Sequence, residues 1–223
     1  MTPREFLGSA AVPGGQELML YRRGGDFMIV LDRNELMSSR MSGSEKALAL
    51  MTIERLAGRK APHLLIGGYG MGFTLRAALG VLDQDARITL AELVPEIIDW
   101  ARGPMAELAD GCLDDPRVDL LMGDVVPVIA AGRACYDAIL LDVDNGPDGL
   151  TAAANDRLYS ATGLAAARSA LTPGGILAVW SAGSDDAFTR RLTSAGFAVD
   201  EVVVRARDNG KGPRHVIWFA HKR

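Results

Sequence analysis

Four short apolar runs each end on residues that can do chemistry. His63 to Ile66 leads into the glycine loop Gly67-Gly68-Tyr69-Gly70-Met71-Gly72. Arg87 to Ala91 leads into Glu92-Leu93, Arg117 to Met122 into Gly123-Asp124-Val125, and Tyr136 to Leu141 into Asp142-Val143-Asp144-Asn145. A glycine loop lets backbone approach a ligand closely and turns the chain sharply into a helix. An acid one strand-helix unit later, as Glu92 is, can bridge the two hydroxyls of a ribose. Asp124 can accept a hydrogen bond from an adenine amino group, or cap a helix that starts at Val125. Asp142 and Asp144 can hold a cation, and one of them can take a proton from an ammonium so that its nitrogen becomes nucleophilic. Close like charges push their pKa values apart, which suits that division of labour. An Asx-turn ahead of Gly146-Pro147 is the plainer use of Asp144 and Asn145.

Loop and acid together leave a dinucleotide or a single nucleoside such as S-adenosylmethionine open. Asp124, and the lack of a second phosphate site on the later strands, favour the nucleoside. Its contacts are expected from Gly67, Gly68, Tyr69, Gly70, Gly72, Glu92, Leu93, Asp124, Val125 and Asp142, with Asp142 and Asp144 as the catalytic pair. No metal is expected, because Cys112 and Cys135 form no ligand cluster.

These residues need a scaffold that brings strand ends together. From residue 61 to 223, strand and helix patterns alternate, which is the signature of a doubly wound, mostly parallel α/β sheet. The last two strands, Val199 to Arg205 and Arg214 to Ala220, have no helix between them and predict an antiparallel edge. Residues 1–60 read as a short β-hairpin, Glu17 to Tyr21 and Phe27 to Leu31 around Gly24-Gly25, followed by a helix over Ser44 to Ala57. The 223 residues fit one such domain with a short appendage. A net charge of −4 offers no basic field for nucleic acid. No apolar run approaches the ~20 residues of a membrane span. The first ten residues lack an apolar signal core, so a cytoplasmic protein is expected.

The run from Leu64 to Gly72, Ala91-Glu92-Leu93-Val94, Gly123-Asp124, Tyr136 to Asp142 and Leu171-Thr172-Pro173-Gly174-Gly175 resembles the spermidine synthases, or polyamine aminopropyltransferases. That resemblance implies a class I methyltransferase fold with a seven-stranded sheet and a transferase of polyamine biosynthesis. It implies an aminopropyl group passing from decarboxylated S-adenosylmethionine to a small-molecule amine, in an enzyme that can form a homodimer. By resemblance Glu92 holds the ribose, Asp124 the adenine, and Asp142 is the base, with Asp144 or Asn145 near the family's second acid.

The chain also departs from the family pattern. Gly70 stands where the family's glycine loop carries an acid that favours the decarboxylated cofactor, so its loss points towards ordinary S-adenosylmethionine. Trp180 replaces the usual glutamine after the fifth strand. The acidic, tyrosine-rich segment that binds the diamine is not recognisable around Ser39 to Leu50, where Glu45 is the only acid. The short amino-terminal piece reads as a trimmed version of the family's β-domain. Two other functions stay open: a small-molecule methyltransferase on the same fold, and a nucleoside-binding protein without catalysis. Arg40 is a candidate partner for a cofactor carboxylate, and His63 reads as structural.

Overall fold

The computed structural model describes residues 3–12, 16–32, 34–56, 58–143 and 157–223. The large sheet has seven strands: β5 (His63–Gly67), β6 (Arg87–Glu92), β7 (Val118–Met122), β8 (Tyr136–Leu141), β9 (Leu171–Ser181), β10 (Phe197–Arg205) and β11 (Arg214–Lys222). Their spatial order is β10-β11-β9-β8-β5-β6-β7. Pairs β5–β6, β6–β7, β5–β8 and β8–β9 are parallel, and β11 is antiparallel to both β9 and β10. The closing pair thus forms the expected antiparallel edge, with β11 inserted between β9 and β10 and β10 outermost. Strand order reverses between β5 and β8, which is where an open α/β sheet forms its ligand crevice.

The strands are apolar on both faces because both are covered. Leu64 and Ile66 face one core and Leu65 the other. Ala138 and Leu140 oppose Ile139 and Leu141 in the same way, as do Ala178 and Trp180 against Leu177 and Val179. This is the two-residue period of a strand written into both layers. The first layer holds α1 (Gly43–Arg55), α2 (Phe73–Leu79), α3 (Pro95–Arg102) and α4 (Ala106–Ala109). The second holds α5 (Val125–Ala131), α6 (Ala161–Ala170) and α7 (Asp186–Ser194). One helix was expected from Pro95 to Leu108. Gly103, with Pro104 next to it, divides it into α3 and α4.

The predicted hairpin is present as β2 (Glu17–Arg23) and β3 (Asp26–Leu31), and two more strands extend it. These are β1 (Glu5–Ala11) and β4 (Asn34–Ser38), giving an antiparallel sheet in the order β1-β2-β3-β4. Its buried Leu20, Ile29 and Leu31 join the same core as α1 and α3. The small sheet therefore packs over the α1–α3 side of the large one and roofs the crevice. None of the described helices is long and apolar enough to cross a membrane.

Candidate active site

The glycine loop is held open by Glu92. Its Oε2 accepts the Tyr69 N–H at 2.7 Å and its Oε1 accepts the Val94 N–H at 2.9 Å. The side chain is 4% exposed, and burial raises its pKa against the opposing pull of these backbone donors. A carboxylate has lone pairs beyond these two bonds, and Glu92 lines the cavity that the loop borders. That cavity has a volume of about 400 Å3, within the ~300–1,000 Å3 of small-molecule sites.

Most of the residues read from the sequence meet there. Gly68 and Gly70, Glu92 and Leu93, Asp124 and Val125, and Asp142 all line it. Three of the predicted contacts lie elsewhere. Gly67 packs beneath the loop, where an added Cβ would meet Leu141 and Val125. Tyr69 turns its ring inward, 5% exposed, with its hydroxyl 3.5 Å from Cys112 Sγ. Gly72 lies against that ring, since a Cβ there would come within 2.7 Å of the Tyr69 oxygen. The Tyr69 contribution is thus its backbone N–H, and the glycine at 72 makes room for the inward ring. Asp144 and Asn145 lie outside the described residues.

Asp124 performs its anticipated capping task. Its Oδ1 accepts the Val126 N–H at 2.8 Å and caps α5, while the residue still borders the cavity. Asp142 follows the last residue of β8. The Thr74 hydroxyl lies 3.1 Å from its Oδ2 and 3.3 Å from the Glu45 carbonyl. Burial lifts the Asp142 pKa to about 6, and the Thr74 hydrogen bond opposes the rise.

Glu45 is the residue that the spacing of motifs could not place. It lies in the first turn of α1, 6% exposed, on the cavity wall. Burial and the Asp142 charge push its pKa up to about 8. The Ser44 hydroxyl donates to its Oε2 at 2.8 Å, and His215 Nδ1 lies 2.9 Å from that same hydroxyl. The start of α1 is fixed by the loop after β10: the Gly43 N–H donates to the Ala206 carbonyl at 2.9 Å. A Cβ at Gly43 would come within 2.6 Å of the Arg207 backbone. His215 stacks edge-on against Trp180, with ring centroids 4.8 Å apart, and both line the cavity.

Two further expectations resolve clearly. His63 is structural, with Nδ1 3.1 Å from the Cys135 carbonyl and Nε2 3.0 Å from Thr89 Oγ1. Arg40 pairs with Asp26 at 3.0 Å on the surface and is not among the described residues that line the cavity. Among the described residues, no group of three or more His, Cys, Asp or Glu side chains could hold a metal.

Comparison with known proteins agrees with this architecture. The chain is 31% identical over 194 residues to the polyamine aminopropyltransferase of Mycobacterium tuberculosis, a match covering 82% of this chain and 35% of that protein. It is 33% identical over 153 residues to polyamine aminopropyltransferase 1 of Streptomyces coelicolor, covering 63% of this chain and 27% of the relative. The chain thus spans about a third of the length of the curated relatives it matches. Its fold matches the spermidine synthase of Thermotoga maritima with a TM-score of 0.76 at 19% identity, over 98% of this chain and 73% of that one. A spermidine synthase in complex with the transition-state analogue AdoDATO matches with a TM-score of 0.75 at 18% identity, over 98% of this chain and 72% of that one. The model of the spermine/spermidine synthase domain matches residues 48–185, and the chain belongs to that family.

Proposed function

We propose that the protein transfers an alkyl group, an aminopropyl group in the family's manner, from a sulfonium nucleoside to an amine, with Asp142 as the base. The observation that carries this reading is the position of Asp142. It sits in the same cavity as Glu92 and the glycine loop, with its pKa lifted towards neutrality. The names of the relatives, polyamine aminopropyltransferase and spermidine synthase, support it.

The residues present fit the nucleoside. Gly68 and Gly70 leave bare backbone at the cavity, and Glu92 and Asp124 border it; in this reading Glu92 takes the ribose hydroxyls and Asp124 the adenine amino group. When bound, S-adenosylmethionine or its decarboxylated form supplies an electrophilic carbon beside a positive sulfur and leaves as a neutral thioether. Asp142, ionised above its pKa, accepts a proton from the incoming ammonium and frees the nitrogen lone pair for attack. Glu45 adds a second acid on the same wall, and together the two attract a cation. The apolar walls limit water around the reacting groups. A cytoplasmic setting and a homodimer go with this reading.

One observation favours a second reading, methyl transfer from ordinary S-adenosylmethionine. Gly70 carries no acid, and a Cβ there would come within 2.7 Å of Met37 Cε. A thioether thus occupies the space next to the loop where the family carries its acid. Calorimetry with S-adenosylmethionine and its decarboxylated form separates the two. Tighter binding of the decarboxylated form supports aminopropyl transfer, and a clear preference for the carboxylated form overturns it.

A further inference from the structure

Resting on the alkyl-transfer reading above, we infer that the acceptor is a primary amine with one charged end and a hydrocarbon body, rather than a diamine or polyamine. The cavity has two chemically different halves. At the strand ends lie the carboxylates of Glu92, Asp124, Asp142 and Glu45. Glu92 and Asp124 are engaged with the glycine loop and the start of α5. Among the described residues, Asp142 and Glu45 are the acids left for a substrate ammonium.

The other half is the underside of the small sheet. Leu18, Ile29 and Leu31 line it at 6%, 3% and 2% exposure, with Leu36, Met37 and Val12 beside them. Among the described residues the one carboxylate this sheet contributes to the wall is Glu35. Its side chain is 37% exposed and has Arg4 at 4.0 Å, so it faces solvent and already has a cation near it. The remaining described polar groups on the wall do not suit a second ammonium. Trp180 Nε1 is buried, has no hydrogen-bond partner among the described residues, and can only donate. His215 has its Nδ1 at Ser44, and burial disfavours its charged form.

A diamine bound through one end at Asp142 and Glu45 would therefore press its second ammonium against leucine, isoleucine and methionine side chains. An ammonium buried without a partner is strongly disfavoured, whereas a methyl end there is favoured. Within the reach of this wall, each added methylene on a monoamine is expected to tighten binding about threefold.

The test is calorimetry on the whole chain saturated with methylthioadenosine, with hexylamine and 1,6-diaminohexane as probes of matched length. Hexylamine is expected to bind at least tenfold more tightly. In Leu36→Glu the ratio of diamine to monoamine affinity is expected to rise about tenfold or more, a ratio that a general weakening of the site leaves unchanged. If methylthioadenosine binds and the diamine binds as tightly as hexylamine or better, the inference is wrong and the alkyl-transfer reading stands. If methylthioadenosine itself does not bind, the reading on which the inference rests falls with it.

Discussion

The backbone of Gly68 lies so close to Asp142 that a Cβ on the glycine would come within 2.6 Å of the Asp142 carbonyl oxygen. Gly68 also adopts φ +89°, a conformation that side-chain-bearing residues rarely take. The glycine loop and the proposed base are thereby locked to each other across the β5–β8 switch point. Gly68→Ala is expected to cost about 1–3 kcal/mol of stability. It should also weaken nucleoside binding and turnover together, because both sides of the contact move. Denaturation and calorimetry on the same variant check this.

As the proposed base, Asp142 would act in its ionised form, so turnover is expected to rise with pH through about 6, the value to which burial lifts its pKa. Thr74 donates to the charged carboxylate and holds that value down. Thr74→Val should move the rising limb upward by about one pH unit. Asp142→Asn should reduce turnover by about 10²-fold or more while the nucleoside still binds. Unchanged turnover in Asp142→Asn removes the base assignment.

Stability should also report on Glu45. Its folded pKa of about 8 lies above its ordinary value of 4.5, and that of Asp142, about 6, lies above its ordinary 3.8. The folded state therefore binds these protons more tightly than the unfolded chain. Stability from this source is complete below the unfolded values and is lost as pH rises through the folded ones. The groups acting on Glu45 are Asp142, Ser44 and Asp208. Urea denaturation from pH 4.5 to 8 should show a decline on the order of 2–4 kcal/mol. Glu45→Gln should flatten most of it.

Gly70→Asp puts an acid back into the loop beside Met37. The obstructing atoms are the far end of a flexible side chain and can move, and the φ of +57° at this position, which strains most side chains, is one that Asp tolerates better than most. The new carboxylate is expected to weaken binding of S-adenosylmethionine relative to its decarboxylated form by about tenfold, through repulsion of the cofactor carboxylate. Competition between the two nucleosides in wild type and variant measures the ratio.

The parts of the site legible in the sequence are those carried by one strand and the turn after it. Leu64-Leu65-Ile66 followed by glycines, Ala91-Glu92 and Leu140-Leu141-Asp142 announce strand, end and chemistry within a few residues. What was not legible depends on contacts between distant segments. Glu45 on α1, Trp180 on β9, His215 on β11 and Met37 on β4 converge only because the small sheet and α1 close over the crevice. The two strands missing from the predicted hairpin have weak signals for physical reasons. β1, Glu-Phe-Leu-Gly-Ser-Ala-Ala, is an edge strand with a single fully buried residue, Ala10. β4, Asn-Glu-Leu-Met-Ser, is only five residues long and begins with two exposed polar side chains. The partner of Arg40 was hidden for a similar reason, since Asp26 comes from the start of β3.

The most direct measurement is a crystal structure of the protein soaked with methylthioadenosine. The account predicts the ribose hydroxyls on the Glu92 carboxylate, the adenine amino group at Asp124, and the sulfur on the side of the cavity that Asp142 borders. A nucleoside bound elsewhere, or bound here with its ribose away from Glu92, would contradict it.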